Sequence, residues 1–362
     1  MKIIHLIFSL CSGGAERFVV SLANQQTVMG HNVLVCILLA DSDENFIFNR
    51  QFLDNAVAFH SFGFSKGFSI RKSNRVERYI EEQNPDVVHC HLNVTPYIMR
   101  LAFKKTNIRF IHTLHNIASK ASGRFYQYPL NYLCYKFGII KPVTISNRCT
   151  KSYAEFYGLR NVKCIDNGCQ QPSMSVLYQQ TKEEIDGYKY SKDTLVFVHI
   201  ARFHPQKNQS LLVESFNQIR QNGYNAILLV IGDGFNEGEG RKLKERSCDS
   251  IFYLGLKNNV GDYLRCADAF CLSSVYEGLP ISLLEAMACG VVPICTRVGG
   301  IPDVIENGKT GIMSEVDFVA YTDALKKIFS SSIDRNLLVE TYKQRFSMEA
   351  CAGKYMEVYK KD

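Results

Sequence analysis

The feature that most constrains this chain is a repeated alternation of short apolar runs with amphipathic stretches. In the first half, apolar runs at 3–9, 32–39, 86–91, 109–115, 142–145 and 162–165 are separated by helical patterns at 17–29, 69–83, 95–105, 124–137 and 147–157. The second half repeats the scheme. Its runs lie at 195–200, 226–231, 251–254, 269–272, 291–295 and 310–313, with helical patterns at 207–221, 237–246, 258–266, 316–330, 333–344 and 348–360. Strands joined through helices pair in parallel, and a sheet covered on both faces reads as continuous Val, Ile and Leu. With 362 residues the chain has room for two such α/β domains, each with its own core. The polar segment 170–192 lacks strong periodicity and reads as the connection between them.

Composition removes several classes. A hydrophobic share of 46% beside 21% charged residues belongs to a soluble globular chain, and no apolar run approaches the length of a bilayer crossing. The opening MKIIHLIFSLC is apolar only over 3–10, Leu10 is too large to precede a lipidated cysteine, and SGGAER follows at once. A buried first strand is expected there, not a signal peptide. The 13 cysteines form no C-x-x-C pair and fall mostly in apolar segments, so they read as small buried hydrophobes of a reducing cytoplasm. Charge is uneven: residues 1–172 hold 20 Lys/Arg against 11 Asp/Glu, residues 173–362 hold 22 against 24, and 87–154 contain ten bases and no acid. A basic first half points to an anionic surface or a phosphorylated acceptor. No nucleic-acid motif accompanies it, so nucleic acid is not an expected partner.

Five stretches could carry chemistry. The first is 277–290, EGLPISLLEAMACG. An acid in a turn, Glu277, leads into Gly278-Leu279-Pro280; a short helix follows, with Pro280 suited to its first position, Glu285 on its second turn and Gly290 as its stop. A helix start offers N–H groups and a positive dipole end to a phosphate or sugar hydroxyl, but two glutamates near it also fit a buried loop-helix hairpin. The second is Ser12-Gly13-Gly14-Ala15-Glu16, where glycines admit a ligand close to the backbone; it is not the dinucleotide fingerprint G-x-G-x-x-G. The third is ARFHPQKN, with Arg202 and Lys207 five residues apart after a buried strand, either a solvated face or an anion clamp. The fourth is IHTLHN, where His115 shares a strand face with Ile111 and Thr113; a histidine there is more often packed than catalytic. The fifth, Asp41-Ser42-Asp43, reads as a solvated turn, and no metal site is expected.

Taken together these strings resemble the retaining glycosyltransferases of the GT-B fold, the large family 4 related to bacterial glycogen synthases. EGLPISLLEAMACG resembles the family's Glu-x7-Glu segment, SGGAE its glycine loop, ARFHPQKN its G-R-x4-K motif with Ala201 where glycine is usual, and the Thr113-Leu114-His115 segment its T-x-H. The resemblance implies two facing Rossmann-like domains with a deep cleft between them and a C-terminal helix crossing back to the first. The expected boundaries are 1–170 plus 346–362 for an acceptor-side domain and 171–345 for a nucleotide-sugar-binding domain. By the same resemblance Gly13 and Gly14 approach the donor's diphosphate, and Arg202 and Lys207 clamp its phosphates and stabilise the departing nucleotide in place of a metal. Glu285 accepts from the ribose hydroxyls, while Glu277 faces the sugar. Gly278, Leu279, Pro280, Ile281 and Ser282 present backbone to sugar and phosphate oxygens. Leu256 and Lys257 meet the base, and His115, with Asn116 beside it, contacts the transferred sugar. His91, in VVHCH, is expected to line the cleft floor in a structural role.

The implied activity is transfer of a hexose-type sugar from a nucleotide-diphosphate sugar, UDP favoured, to a glycan or lipid-linked acceptor in surface polysaccharide synthesis. It would need no cofactor or metal. The basic first half places that work in the cytoplasm with peripheral contact at the inner membrane face. A nicotinamide-dependent oxidoreductase lacks its glycine fingerprint here. A non-catalytic sugar or nucleotide binder, and a phosphorylase or epimerase on the same fold, remain alternatives that turnover would separate. Acceptor pockets are expected in the loops 42–68 and 117–128.

Overall fold

The structure, a computed structural model, describes residues 1–104, 107–121 and 127–360. The chain divides into two compact units, Met1–Cys169 with Phe346–Asp362, and Gln170–Arg345. Among the described residues no helix is long and apolar enough to cross a membrane.

The first unit is built on seven strands: β1 Lys2–Ile7, β2 Asn32–Leu39, β3 Ala58–Phe64, β4 Val87–His91, β5 Arg109–Leu114, β6 Lys141–Thr144 and β7 Lys163–Cys164. Every pairing is parallel, in the order β3-β2-β1-β4-β5-β6-β7. The order reverses between β1 and β4, the point at which doubly wound sheets bind ligands beyond their strand ends. Strand alternation divides the core between two faces. Ile4, Leu6, Cys36, Val88, Cys90 and Leu114 pack on one, and Ile7, Val19, Val33, Val35 and Ile37 on the other.

The second unit repeats the winding with β8 Leu195–Ile200, β9 Ala226–Ile231, β10 Ile251–Gly255, β11 Ala269–Leu272, β12 Val292–Thr296 and β13 Ile312–Ser314, ordered β10-β9-β8-β11-β12-β13 and all parallel. Its switch point lies between β8 and β11. Where the chain leaves and re-enters the first unit, Cys169 bridges Ser347: Cys169 N–H donates to Phe346 O at 3.0 Å and Met348 N–H to Cys169 O at 2.9 Å. A Cβ at Gly168 would run into Cys351 and the Ser347 carbonyl, so only glycine allows this seam. The helix Met348–Tyr359 then packs against the helix Gly14–Val28 in the same unit.

Several expectations are corrected. The loop expected at 42–68 contains β3; as an edge strand its residues AFHSFGF alternate weakly between exposed and buried, which hides the buried-strand pattern. The supposed connection 170–192 contains the helix Tyr178–Tyr188, which buries little beyond Thr181 and Ile185 and so shows a faint periodicity. The pattern at 95–105 resolves into the 3-10 turn Thr95–Tyr97 and the helix Met99–Phe103, with Lys105 outside the described residues. The helix expected from Arg124 is described only as Gln127–Lys136, since 122–126 lie outside the described residues, as does that part of the loop 117–128.

Candidate functional site

At the switch point of the second sheet three loops are tied together. After β8, the 3-10 turn Pro205–Lys207 ends at Asn208, a left-handed residue (φ 48°), and the helix Gln209–Gln221 begins. After β11, Ser273 Oγ donates to the carbonyls of Lys207 and Asn208, both at 2.9 Å, and Val275 N–H donates to Gln206 O at 2.9 Å. These bonds bring Lys207 and Glu277, 70 positions apart, into an ion pair with Nζ–Oε1 2.6 Å. Glu277 is 5% exposed, and its carboxylate also accepts from Ser274 Oγ at 2.6 Å and Gln206 Nε2 at 3.3 Å. A buried carboxylate needs such partners, because desolvation opposes its charge unless cation and hydrogen bonds replace water.

The third loop follows β12. Gly299 (φ +59°) lies so close that any Cβ there would collide with the Glu277 carbonyl, and Gly300 N–H donates to Gly278 O at 2.7 Å. On the other side of β8, Gly232 packs against the Ala201 carbonyl with no room for a side chain, and Phe203 N–H donates to Asp233 O at 2.8 Å. Arg202 is exposed beside this knot, and among the described residues its guanidinium makes no ion pair. Together with Lys207 it holds the His204 imidazole below its ordinary range, after the larger effect of burial. Ser274, Gln206 and Gly299 are not legible as site residues in the sequence: Ser274, three residues before Glu277, looks like any turn serine, and Gln206 and Gly299 reach it from distant positions.

The helix Ile281–Ala288 has the expected Glu285 on its second turn. Pro280, expected at the first helical position, is instead the N-cap (φ −71°, ψ 124°), and no side chain caps this helix start. Its end is a Schellman motif: Gly290 (φ +71°) donates to Met287 O at 3.0 Å and Val291 to Ala286 O at 3.0 Å. Gly278, Leu279, Pro280 and Ile281 are buried, with Ser282 and Glu285 half-buried at the surface of the segment. Leu256 and Lys257 follow β10 after Gly255 (φ +68°); Leu256 is exposed, while Lys257 lies 3.7 Å from Glu184 and over the Tyr263 ring.

In the first unit, Gly13 caps the helix Gly14–Val28 without a side-chain bond. The space a Cβ would take at Gly13 holds the Glu16 carboxylate, which also accepts from Cys11 Sγ at 3.3 Å. Asp43 caps the helix Glu44–Ile47, and Asp41, half-exposed, lies 3.9 Å from Arg50. His115 follows β5 and is half-buried; surrounding protein, and secondarily His112, push its imidazole down to about 3. His91, expected at the floor of a ligand site, is instead wholly buried, with its Nδ1 3.0 Å from His115 Nε2. Alternation places it there, since β1, β4 and β5 are neighbours and His5, His89 and His91 point to one face. The ligand-capable nitrogens of these three lie within 4.8 Å of one another, a cluster the sequence reading did not anticipate. Burial holds His5 at about 4 and keeps His89 and His91 well below the ordinary imidazole range. On the opposite face His112 Nε2 donates to the carbonyl of Leu92 at 2.6 Å, and Leu92 itself sits at φ 58°, an uncommon setting for a bulky residue at the end of β4. None of the thirteen cysteines, all among the described residues, is in a disulfide.

A pair of doubly wound sheets with an anion-competent switch-point knot is the architecture of a GT-B glycosyltransferase. Residues 12–170 match the model for Glycosyltransferase Family 4 and residues 180–345 that for Glycosyl transferases group 1. The chain belongs to this family of glycosyltransferases. It is 26% identical over 307 residues to the N-acetyl-alpha-D-glucosaminyl L-malate synthase of Bacillus anthracis, covering 81% of this chain and 79% of that protein. It is 24% identical over 278 residues to the Escherichia coli UDP-Gal:alpha-D-GlcNAc-diphosphoundecaprenol alpha-1,3-galactosyltransferase, covering 71% and 69%. Among solved structures, a glycosyltransferase from Rickettsia africae ESF-5 shares the fold with a TM-score of 0.81 at 19% identity, over 99% of this chain and 97% of that one. An Anabaena protein crystallised with UDP does so with a TM-score of 0.79 at 17% identity, over 99% of each chain.

Proposed function

We propose that this glycosyltransferase moves a hexose-type sugar from a UDP-sugar to a glycan or lipid-linked acceptor, with retention at the anomeric carbon and without a metal. The observation that carries the reading is the Lys207–Glu277 pair at the second switch point, with the exposed Arg202 beside it. Lys207 is held in place by Glu277 before any donor arrives, and a diphosphate is the anion chemistry that two cations at a strand end accept most strongly. In this reading Arg202 and Lys207 take the leaving diphosphate, and the uncapped start of the helix Ile281–Ala288, from Gly278 to Ser282, binds sugar and phosphate oxygens. Gly13 and Gly14 approach the same diphosphate, with Glu16 moving aside. Glu285 accepts from the ribose, Leu256 and Lys257 meet the base, and Glu277 and His115 position the sugar.

UDP is favoured because the Anabaena neighbour was crystallised with UDP and with UDP-glucose. A lipid-linked acceptor is favoured by the diphosphoundecaprenol in the name of the E. coli relative and by the acid-free basic stretch 87–154. That stretch also supports work in the cytoplasm at an anionic membrane surface, in surface polysaccharide synthesis.

The test is a thermal-shift panel with UDP, GDP, ADP, NAD and UDP-sugars, without added metal and again with chelator. A ligand at a hundredfold excess over its Kd stabilises the folded state by about 2.7 kcal/mol. A shift with UDP that Glu285→Ala abolishes, followed by a transferred sugar of unchanged anomeric configuration in the product NMR spectrum, is expected. A shift with NAD alone overturns the reading; GDP alone overturns the donor; inversion in the product overturns the stereochemistry.

A further inference from the structure

Behind His115 runs an unbroken line of buried polar groups, all in the first unit. His115 Nε2 lies 3.0 Å from His91 Nδ1; His91 Nε2 lies 3.0 Å from His5 Nδ1; His5 Nε2 lies 2.7 Å from the Gln26 carbonyl oxygen. His5, His91 and Gln26 are each 0% exposed. A second branch leaves the same amide: Gln26 Nε2 donates to Tyr359 OH at 3.3 Å, and Tyr359 OH lies 2.5 Å from His89 Nδ1. His89 Nε2 then meets Thr113 Oγ1 at 2.7 Å, which meets Tyr355 OH at 2.9 Å. Every ring nitrogen of His5, His89 and His91 is thus already engaged, which makes the cluster a hydrogen-bonded relay and not a set of vacant ligands.

A neutral imidazole has one donor nitrogen and one acceptor, so a chain of them has a direction. The amide oxygen of Gln26 only accepts, so His5 carries its proton on Nε2 and accepts at Nδ1. His91 must then donate from Nε2 and accept at Nδ1, and His115 must donate from Nε2. The other branch follows from the same amide: the Gln26 N–H donates to Tyr359, which donates to His89 Nδ1, which leaves His89 to donate from Nε2 to Thr113. One buried amide sets both directions.

We propose that Gln26, His5 and His91 are positioning residues that hold His115 as its Nε2–H tautomer and present its Nδ1 as a hydrogen-bond acceptor. Resting on the proposed function, this means a substrate hydroxyl meets His115 as the donor. The terminal helix Met348–Tyr359 takes part through Tyr359, so the returning end of the chain helps to set the relay.

The test uses the full chain labelled with 15N-histidine, with the His115→Ala spectrum identifying the His115 signals by their loss. Two-bond 15N–1H correlations of the wild type, without ligand, are expected to show His115 protonated on Nε2 and bare on Nδ1. A His115 proton on Nδ1 overturns the proposal, and this wild-type result decides even where a variant fails to fold. Gln26→Met removes the amide while keeping much of its volume. It is expected to give a mixture of His115 tautomers, and kcat with the UDP-sugar that stabilises the protein is expected to fall about fivefold to tenfold with KM within twofold. A Gln26→Met protein with an unchanged tautomer and an unchanged kcat also overturns the relay. If the wild-type tautomer is as stated but His115→Ala turns over normally, the relay stands and the role of His115 in the proposed function falls.

Discussion

Acid should open the first unit of this protein before the second. Four wholly buried histidines, His5, His89, His91 and His112, belong to the first unit, and one, His199, to the second. The groups facing them are Gln26, Phe18, Thr113, Tyr135, Tyr355, Tyr359, His115 and backbone carbonyls, none negatively charged at neutral pH. Burial lowers all four, His5 and His112 from 6.5 to about 4. The sign follows from proton counting: below 6.5 the unfolded chain binds protons that the folded one refuses, so the stabilisation is complete above pH 6.5 and is lost as the pH falls toward 4. Each histidine moved this far contributes about 1.4 kcal/mol less at pH 5.5 and about 2 kcal/mol less at pH 5. His5 and His112 together remove about 4 kcal/mol at pH 5, and His89 and His91 act in the same direction. Domains are stable by only about 5–15 kcal/mol, so this is a large share of the total. The second unit has two histidines, His199, also held at about 4 by burial, and the part-exposed His204, lowered by burial and then by Arg202 and Lys207, against the four buried ones of the first. The chain has no tryptophan, so fluorescence reports poorly on the two units. Hydrogen exchange read by mass spectrometry from pH 7.5 to 4.5, corrected for intrinsic rates, resolves them by peptide. Peptides from β1, β4 and β5 should lose protection near pH 5, with β8 and β9 still protected. Simultaneous opening, or β8 opening first, would refute the reasoning.

Three further outcomes are expected. Lys207→Met leaves a nearly buried carboxylate without its cation and should destabilise the second unit by about 2–4 kcal/mol, visible as a clear fall in Tm; an unchanged Tm would mean the ion pair is not formed in solution. Arg202→Ala should leave Tm within the range of a surface change, about 0.5 kcal/mol, while lowering kcat by about 10²-fold or more, as measured by UDP release from the stabilising donor. Gly299→Ala places a Cβ against the Glu277 carbonyl at a left-handed φ; a cost of about 1–3 kcal/mol and a smaller UDP-induced thermal shift should follow together, and a variant with normal Tm would contradict the close approach.

What could be read directly from the sequence was local and periodic. Buried parallel strands announce themselves as apolar runs, and the helix Ile281–Ala288 carries its own stop in Gly290, because only glycine adopts that left-handed turn without strain. The motif at 277–290 and the G-R-x4-K-like string could be read for the same reason: each is one short contiguous stretch, 14 residues in the longer case. Elements with weak local contrast escaped, as with β3 at the sheet edge and the helix Tyr178–Tyr188, which buries few side chains.

The site itself was decided by strand order. Glu277 is an acid in a turn until β11 is laid beside β8, which sets it against Lys207, Gln206 and the glycine of the β12 loop. His5 and His91 are 86 positions apart, and the sequence singles out only His91, as a structural residue of a cleft floor. Pairing β4 between β1 and β5 stacks them beneath His115, and a helix from the far end of the chain closes the network. Sequence periodicity tells which face of a strand a residue occupies. Which residue lies beside it on the next strand depends on parallel register, and register is settled only when the whole sheet packs.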